Sequence, residues 1–298
     1  MTAGPIVVGA DGSAESLRAV GWAAREAKLR GLPLRIVSAA ALPPRMAEHQ
    51  TASGVPTVAD TVAGERDRAL AVATERASEI APDVLIDADG LTGPPAQALS
   101  DAGAGASMLV VGFRGVGAFA ALILGSASRY VAAHAPCPVV VVREETDATS
   151  RQVGVGIGDP AGSSAALAFA FEEASLRKAS LIAVYASEPP GGDIERATRA
   201  LASPGAGHPH EEEIGRQLQA LLAGWQARYP DVQASYDIVY SHPGRALVGL
   251  SARADLVVLG RHRPDGPLPG PGAVRHAVLN HAHGPVVTVP DPPDSPTA

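Results

Sequence analysis

Glycines spaced through residues 109–128 make this segment the part of the sequence best suited to bind phosphate. An apolar run ends at Gly112, Gly115 follows after two intervening residues, and Gly125-Ser126 comes after nine more. Because glycine lacks a Cβ, its backbone can approach a ligand closely. A Gly-Ser pair that opens a helix offers unpaired N–H groups, a hydroxyl and the positive end of the helix dipole. The spacing therefore predicts a loop that binds the phosphates of a nucleotide.

The elements around this loop alternate between strand and helix. Short apolar runs predict strands at 5–9, 34–39, 84–88, 108–112 and 138–143. Helical periodicity predicts helices at 13–30, 60–79, 96–101 and 126–134. Segments rich in Pro and small polar residues predict long loops at 42–59 and 187–209. The alternation predicts a Rossmann-like α/β fold, an open parallel sheet with helices on both faces.

The second half of the chain repeats the first. Asp159 follows Asp11 by 148 residues, and residues 254–260 repeat 106–112 at the same offset. With one residue deleted, 272–289 matches 125–142. The repeat predicts two copies of one domain. We assign residues 1–146 to the first, 151–290 to the second and 291–298 to a disordered tail.

Composition narrows the class of protein. A net charge of −7 over 298 residues argues against a nucleic-acid partner, which would require a basic face. Cys137 is the only cysteine, so an intramolecular disulfide is excluded, and we expect a buried structural thiol in a reducing compartment. The sequence shows no secretory signal pattern and no apolar stretch of membrane-spanning length. We therefore expect a cytoplasmic protein without a membrane partner.

Two residues near the predicted loop have alternative roles. The loops after the first and fourth strands flank one crevice if those strands are neighbours. Asp11 would then contact ribose, base or a metal, or it merely caps the first helix, a role that Ser13 can also fill. Arg114, inside the glycine loop, either contacts phosphate or is solvated. We expect no metal site at His208 and His210, or at His281 and His283.

Three segments resemble the universal stress protein family, and in particular its tandem-domain, ATP-binding members: VVGADGSAES, VVGFRGVGAFAALILGSAS and VAAHAPCPVVVVR. The resemblance implies two repeated five-stranded parallel sheets, similar to those of adenine nucleotide alpha hydrolases, adenine nucleotide binding, and domain pairing through the last strand. The positions it assigns to the nucleotide are Gly9, Asp11, Gly112, Arg114, Gly115, Gly125, Ser126 and Ser128. Ala39 would line an adenine pocket. To these we add the loop residues Phe113, Val116, Gly117 and Ala118, and in the second copy Asp159, Gly260 and Arg263.

The second copy departs from the pattern. Arg263 stands where the second glycine should be, prolines follow, and Gly272-Ala273 replaces the Gly-Ser pair. Arg263 adds a Cβ, the prolines lack N–H donors and Ala273 lacks a hydroxyl. Each of these changes weakens a site in which the backbone binds phosphate. Either the second site is lost, or Arg261, His262 and Arg263 replace backbone donors with side-chain charge.

The function predicted from the sequence is ATP binding, with Mg²⁺ as a possible companion, for a regulatory role in the stress response. The chain has no Gly-x4-Gly-Lys-Ser/Thr motif and no Gly-x-Ser-x-Gly motif, so we predict no catalytic residues. Pairing of the two domains, a homodimer and an unidentified regulatory partner are expected. The alternatives are a slow Mg²⁺-dependent ATPase or adenylyl-transferring enzyme that uses Asp11, and a ligand-free interaction scaffold.

Overall fold

A computed structural model describes residues 4–40, 57–115, 123–144, 150–186, 209–261 and 271–291. The chain divides into two compact units, Met1–Glu145 and Thr146–Ala298. Four predicted site residues lie outside the described residues: Val116, Gly117, Ala118 and Arg263. Most of both predicted long loops and of the tail lie outside them as well. Within the described ranges, no helix is long and apolar enough to cross a membrane.

The first unit is a parallel sheet with helices on both faces, as predicted. Its strands are β1 (Ile6–Gly9), β2 (Leu34–Ala40), β3 (Ile86–Thr92), β4 (Met108–Gly112) and β5 (Val139–Val142). Its helices are α1 (Ala14–Arg30), α2 (Val58–Ile80), α3 (Pro95–Ala102) and α4 (Ser126–His134). The strands lie in the order β3-β2-β1-β4-β5, each parallel to its neighbours. Because β1 pairs with β4, the loops after these strands lie side by side.

Small apolar residues form the core of this unit. Ile6, Val7 and Val8 of β1 are fully buried, as expected for a strand covered on both faces. The alanines of α1 let that helix pack closely against the sheet. Ser13 caps α1, as predicted, by accepting the N–H of Ser16, and the helix ends at Gly31 in the left-handed conformation.

The predicted bounds differ most at the edge of the sheet. The prediction placed β3 at 84–88, whereas it spans Ile86–Thr92 and pairs on one side only. It carries the exposed Asp87 and the half-buried Asp89, so no apolar run marks it in the sequence. The helix predicted from residue 60 begins at Val58, because Thr57 accepts the N–H of Asp60 while Asp60 accepts that of Thr57.

The second unit repeats this architecture. Its strands are β6 (Gln152–Ile157), β7 (Ser180–Ala186), β8 (Ala234–Val239), β9 (Leu256–Arg261) and β10 (Val286–Pro290). Its helices are α5 (Ser164–Arg177), α6 (Pro209–Gln226), α7 (Pro243–Ser251) and α8 (Pro271–His281), with a short 3₁₀ turn before α5. The strand order is β10-β9-β6-β7-β8, all parallel.

The strand register shows an extra residue in the second unit. Val8 pairs with Val110, and Val155 pairs with Val258, so β6 follows β1 by 147 residues while β9 follows β4 by 148. Asp159 therefore lies three residues after Gly156, whereas Asp11 lies two residues after Gly9. The loop that carries Asp159 is one residue longer than the loop that carries Asp11.

Each unit also buries a Glu–Arg pair within its first helix. In α1, Nε of Arg30 lies 2.6 Å from Oε1 of Glu26. In α5, Nε of Arg177 lies 2.8 Å from Oε2 of Glu173. The Glu173 side chain is fully buried. Removing one partner of such a pair leaves a charge with reduced hydration and no compensating ion.

We expect Glu173→Ala to lower the free energy of unfolding by about 3 kcal/mol in a denaturant titration. The matched control is Glu213→Ala, which breaks a solvent-exposed pair with Arg216 on α6 and should cost less than about 1 kcal/mol. Equal effects of the two substitutions would show that burial does not set the contribution of Glu173.

Candidate functional site

A cleft of about 720 Å³ opens at the carboxyl ends of β1, β2 and β4. The predicted residues that line it are Gly9, Asp11, Ala39, Gly112, Arg114, Gly115, Gly125, Ser126 and Ser128. These residues come from four separate parts of the chain. The parallel order of the strands is what brings them together.

Backbone hydrogen bonds fix both ends of the glycine loop. The N–H of Phe113 donates to the carbonyl of Val142 at 2.8 Å, and the N–H of Gly125 donates to the carbonyl of Phe113 at 2.9 Å. The buried hydroxyl of Ser128 donates to the carbonyl of Gly112 at 2.7 Å, which joins α4 to the end of β4. The loop therefore leaves the sheet and returns to it at one residue, Phe113.

Helix α4 points an uncapped N-terminus at the cleft. Gly125 occupies the N-cap position, and no side chain caps the helix within the described residues. The first N–H groups of a helix have no acceptor inside it, and together with the helix dipole they favour an anion. Ser126, Ala127 and Ser128, which carry such N–H groups, all line the cleft.

Two glycines lie where a Cβ would meet a neighbouring part of the chain. A Cβ on Gly112 would lie 2.8 Å from the carbonyl carbon and oxygen of Glu15 in the first turn of α1. A Cβ on Gly115 would overlap the carboxylate of Asp11. The missing side chains thus let α1, β4 and the loop meet around the cleft.

Arg114 brings positive charge to the cleft wall. Its Nε is buried and has no hydrogen-bond partner in the part of the chain that the structure describes. Its guanidinium carbon lies 5.2 Å from the centre of the Phe113 ring. A buried donor without an acceptor is costly, so an anionic ligand that reaches it would be stabilised.

Asp11 supports the cap of α1 as well as lining the cleft. One of its carboxylate oxygens accepts the N–H of Ser13 at 3.0 Å and the Ser13 hydroxyl at 2.6 Å. The Ser13 hydroxyl oxygen in turn accepts the N–H of Ser16 at 3.1 Å. Ser13 is therefore the direct cap, and Asp11 holds it in place.

Sequence reasoning missed much of the apolar wall. The additional lining residues are Ala10, Ser16, Val37, Pro94, Pro95, Ala96, Leu99, Val111, Ile123, Leu124 and Ala127. Pro94 and Pro95 follow β3, so the rule that ligands sit at strand carboxyl ends could have found them. Phe113, which we had included in the site, is 3% exposed and does not line the cleft.

The second unit has different residues at the equivalent positions. Among the described residues, a Cβ on Gly260 would contact only Ala166, at 3.8 Å, so α5 does not press on the end of β9 as α1 presses on β4. Arg275 stands at the repeat position of Ser128. Burial lowers the pKa of the Arg275 guanidinium below its ordinary value. Asp159 accepts the N–H of Gly162 at 3.3 Å, which ties it to its own loop.

Two further expectations concern single side chains. Cys137 is a buried thiol, as predicted. His134 lies at the end of α4 with Nδ1 2.9 Å from the carbonyl oxygen of Tyr130, which agrees with the predicted interaction with the last carbonyls of the helix. Among the described residues, no three His, Cys, Asp or Glu side chains group in a way that could hold a metal ion.

Comparison with known proteins agrees with the repeat. The model of the universal stress protein family matches residues 3–143 and again residues 149–290. A universal stress protein of Mycobacterium tuberculosis (strain H37Rv) is 35% identical over 299 residues, covering 95% of each chain. One from Mycolicibacterium smegmatis is 35% identical over 297 residues, covering 95% of this chain and 96% of the relative. A universal stress protein structure from Archaeoglobus fulgidus shares the fold, with a TM-score of 0.68 at 14% identity and coverage of 98% of this chain and 97% of that one. The chain therefore belongs to the universal stress protein family and carries two copies of its domain.

Proposed function

We propose that the first unit binds an adenine nucleotide, ATP in particular, in the cleft at the ends of β1, β2 and β4, and that this binding serves a regulatory role in the stress response. The observation that carries the proposal is the convergence of three phosphate-favouring features on one cleft. These are the Gly112–Gly115 backbone, the N-terminus of α4 and the buried Nε of Arg114, the last two having no side-chain cap and no hydrogen-bond partner, respectively, among the described residues.

The two sides of the cleft suit the two ends of a nucleotide. Val37, Ala39, Pro94 and Leu99 offer an apolar surface against which a flat base can pack. The glycine loop and α4 offer N–H groups and positive potential to the phosphates. Asp11 also lines the cleft, and its carboxylate can accept hydrogen bonds from ribose hydroxyls.

We propose that the second unit has lost nucleotide binding. Ala273 removes the hydroxyl of the Gly-Ser pair, and Arg275 replaces the serine that joins the helix to the strand. Because the loop before Asp159 is one residue longer, Asp159 does not occupy the position, counted from the end of the strand, that Asp11 occupies in the first unit. The alternative is that Arg261 and Arg263 of the second unit bind phosphate with side-chain charge in place of backbone N–H groups. The stoichiometry of ATP binding distinguishes the two.

We propose binding rather than rapid turnover. The described cleft contains one carboxylate, Asp11, which already accepts two hydrogen bonds from Ser13. Nothing there is placed as a general base paired with an orienting group. Phosphate release should therefore be slow and equal in the unchanged protein and in Gly115→Asp, whereas Mg²⁺-dependent release well above that variant would support the enzyme.

Mass spectrometry of nucleotide extracted from freshly purified protein tests the proposal. We expect adenine nucleotide at up to one equivalent per chain, and added ATP should raise the melting temperature of stripped protein. Protein that carries no nucleotide, and whose melting temperature ATP leaves unchanged, would favour the ligand-free scaffold. A cytoplasmic location, a homodimer, pairing of the two domains, a Mg²⁺ companion and a regulatory partner stay predictions.

A further inference from the structure

One buried aromatic ring contacts two arginines beside the cleft. The guanidinium carbon of Arg114 lies 5.2 Å, and that of Arg143 lies 4.3 Å, from the centre of the Phe113 ring. Both distances fall within the range of cation–π attraction. We call Phe113, Arg114 and Arg143 the aromatic–cation cluster. Of the three, only Arg114 lines the cleft.

The ring is a rigid platform, because its backbone is fixed on both sides. Phe113 is 3% exposed, its N–H donates to Val142 and its carbonyl accepts from Gly125. Arginine, by contrast, is a long side chain that loses considerable rotamer entropy when it is held in one place. A ring that restrains Arg114 before the ligand arrives reduces that loss on binding.

The charges in the cluster favour an anion. Both arginines carry a positive charge and contact one ring, and the side chain of Arg114 lines the cleft, where a negative group can reach it. The buried Nε of Arg114 lacks an acceptor within the described residues. In the second unit, Arg261 stands at the position of Phe113 and Pro290 at that of Arg143, so the cluster is not repeated.

We infer that Phe113 is a positioning residue, whose ring holds the guanidinium of Arg114 toward the phosphates of a nucleotide in the cleft. This inference rests on the function proposed above. It assigns to Phe113 a role in phosphate affinity that involves no contact with the ligand. The ring acts through Arg114, so its effect must disappear when Arg114 is absent.

A double-mutant cycle on the full chain tests this coupling. Phe113→Leu and Phe113→Met remove the aromatic ring but keep an apolar side chain of similar size. Each should weaken ATP binding about 3- to 10-fold in calorimetric titration while leaving adenosine affinity unchanged. On the Arg114→Ala background, the same substitutions should have no further effect on ATP. Phe171→Leu, at a fully buried ring of the second unit, is the control and should change neither affinity.

Three outcomes would overturn the inference. The first is an equal loss of ATP and adenosine affinity, which would show that Phe113 supports the fold of the cleft only. The second is an undiminished effect on the Arg114→Ala background. The third is unchanged ATP affinity in both folded variants. If the unchanged protein binds no nucleotide at all, the proposed function fails and the inference falls with it, so the two failures are distinguishable.

Discussion

Replacing Gly112 with alanine is expected to destabilise the first unit and abolish its nucleotide binding, whereas the equivalent change in the second unit is tolerated. A Cβ at Gly112 meets the backbone of Glu15 at 2.8 Å, and backbone at the start of α1 cannot move without disturbing the cap made by Ser13. Overpacking of this kind costs about 1 to 3 kcal/mol. The displaced loop would also lose its alignment with α4.

Gly260→Ala is the matched control for Gly112→Ala. Its new Cβ would lie 3.8 Å from Ala166, an ordinary van der Waals contact. Denaturant titration and ATP titration of both variants separate the two effects. If Gly260→Ala costs as much stability as Gly112→Ala, or if Gly112→Ala binds ATP normally, then the close approach of α1 to β4 is not what shapes the site.

Replacing Arg114 with alanine is expected to weaken ATP binding about 10- to 100-fold with little change in stability. The guanidinium forms a charge-assisted contact with phosphate only when the ligand is bound. Without ligand, its Nε has no hydrogen-bond partner in the described ranges, so the unliganded protein loses little. Calorimetric titration measures the affinity, and thermal unfolding without ligand measures the stability.

Arg129→Ala gives the same change in net charge without touching the cleft. Arg129 is exposed on α4 and is not a lining residue. At physiological salt, an exposed charge outside the cleft is largely screened, so ATP affinity should stay within about two-fold of the unchanged protein. Equal losses in both variants would mean that net charge, and not the position of Arg114, governs binding.

The sheet and the glycine-loop side of the cleft were predictable because local sequence determines them. Strand β4 and helix α4 match their predicted bounds, since a buried apolar run ends in Gly112 and Gly125-Ser126 opens a periodic segment. The second copy shows the same alternation of strands and helices, which supports the fold prediction. The family assignment followed from these same residues.

The apolar wall was less predictable because tertiary packing creates it. Pro94, Pro95 and Leu99 follow β3, an edge strand whose two aspartates interrupt the apolar pattern that would mark it in the sequence. The role of Asp11 also needed the structure. From the sequence, Asp11 could line the cleft, support the cap of α1, or do both, and the structure shows that it does both. The sequence prediction includes Phe113 in the site, whereas the structure buries this residue and its N–H donates to the carbonyl of Val142 in β5.

The two units differ at the cleft through single residues. These residues can be identified only by combining the sequence repeat with the strand register. Arg275 in place of Ser128 and the extra residue before Asp159 are unremarkable in an isolated sequence. Aligned with the first unit, Arg275 replaces the serine that joins α4 to the end of β4, and the extra residue lengthens the loop that follows the first strand.

Isothermal titration of the full-length, nucleotide-stripped protein with ATP measures whether the first unit alone binds nucleotide. We predict saturable binding at a stoichiometry near one per chain, lost or strongly weakened by Arg114→Ala and unaffected by Gly260→Ala. A stoichiometry near two would show that the second unit also binds, and the absence of any binding would show that the cleft of the first unit is not a nucleotide site.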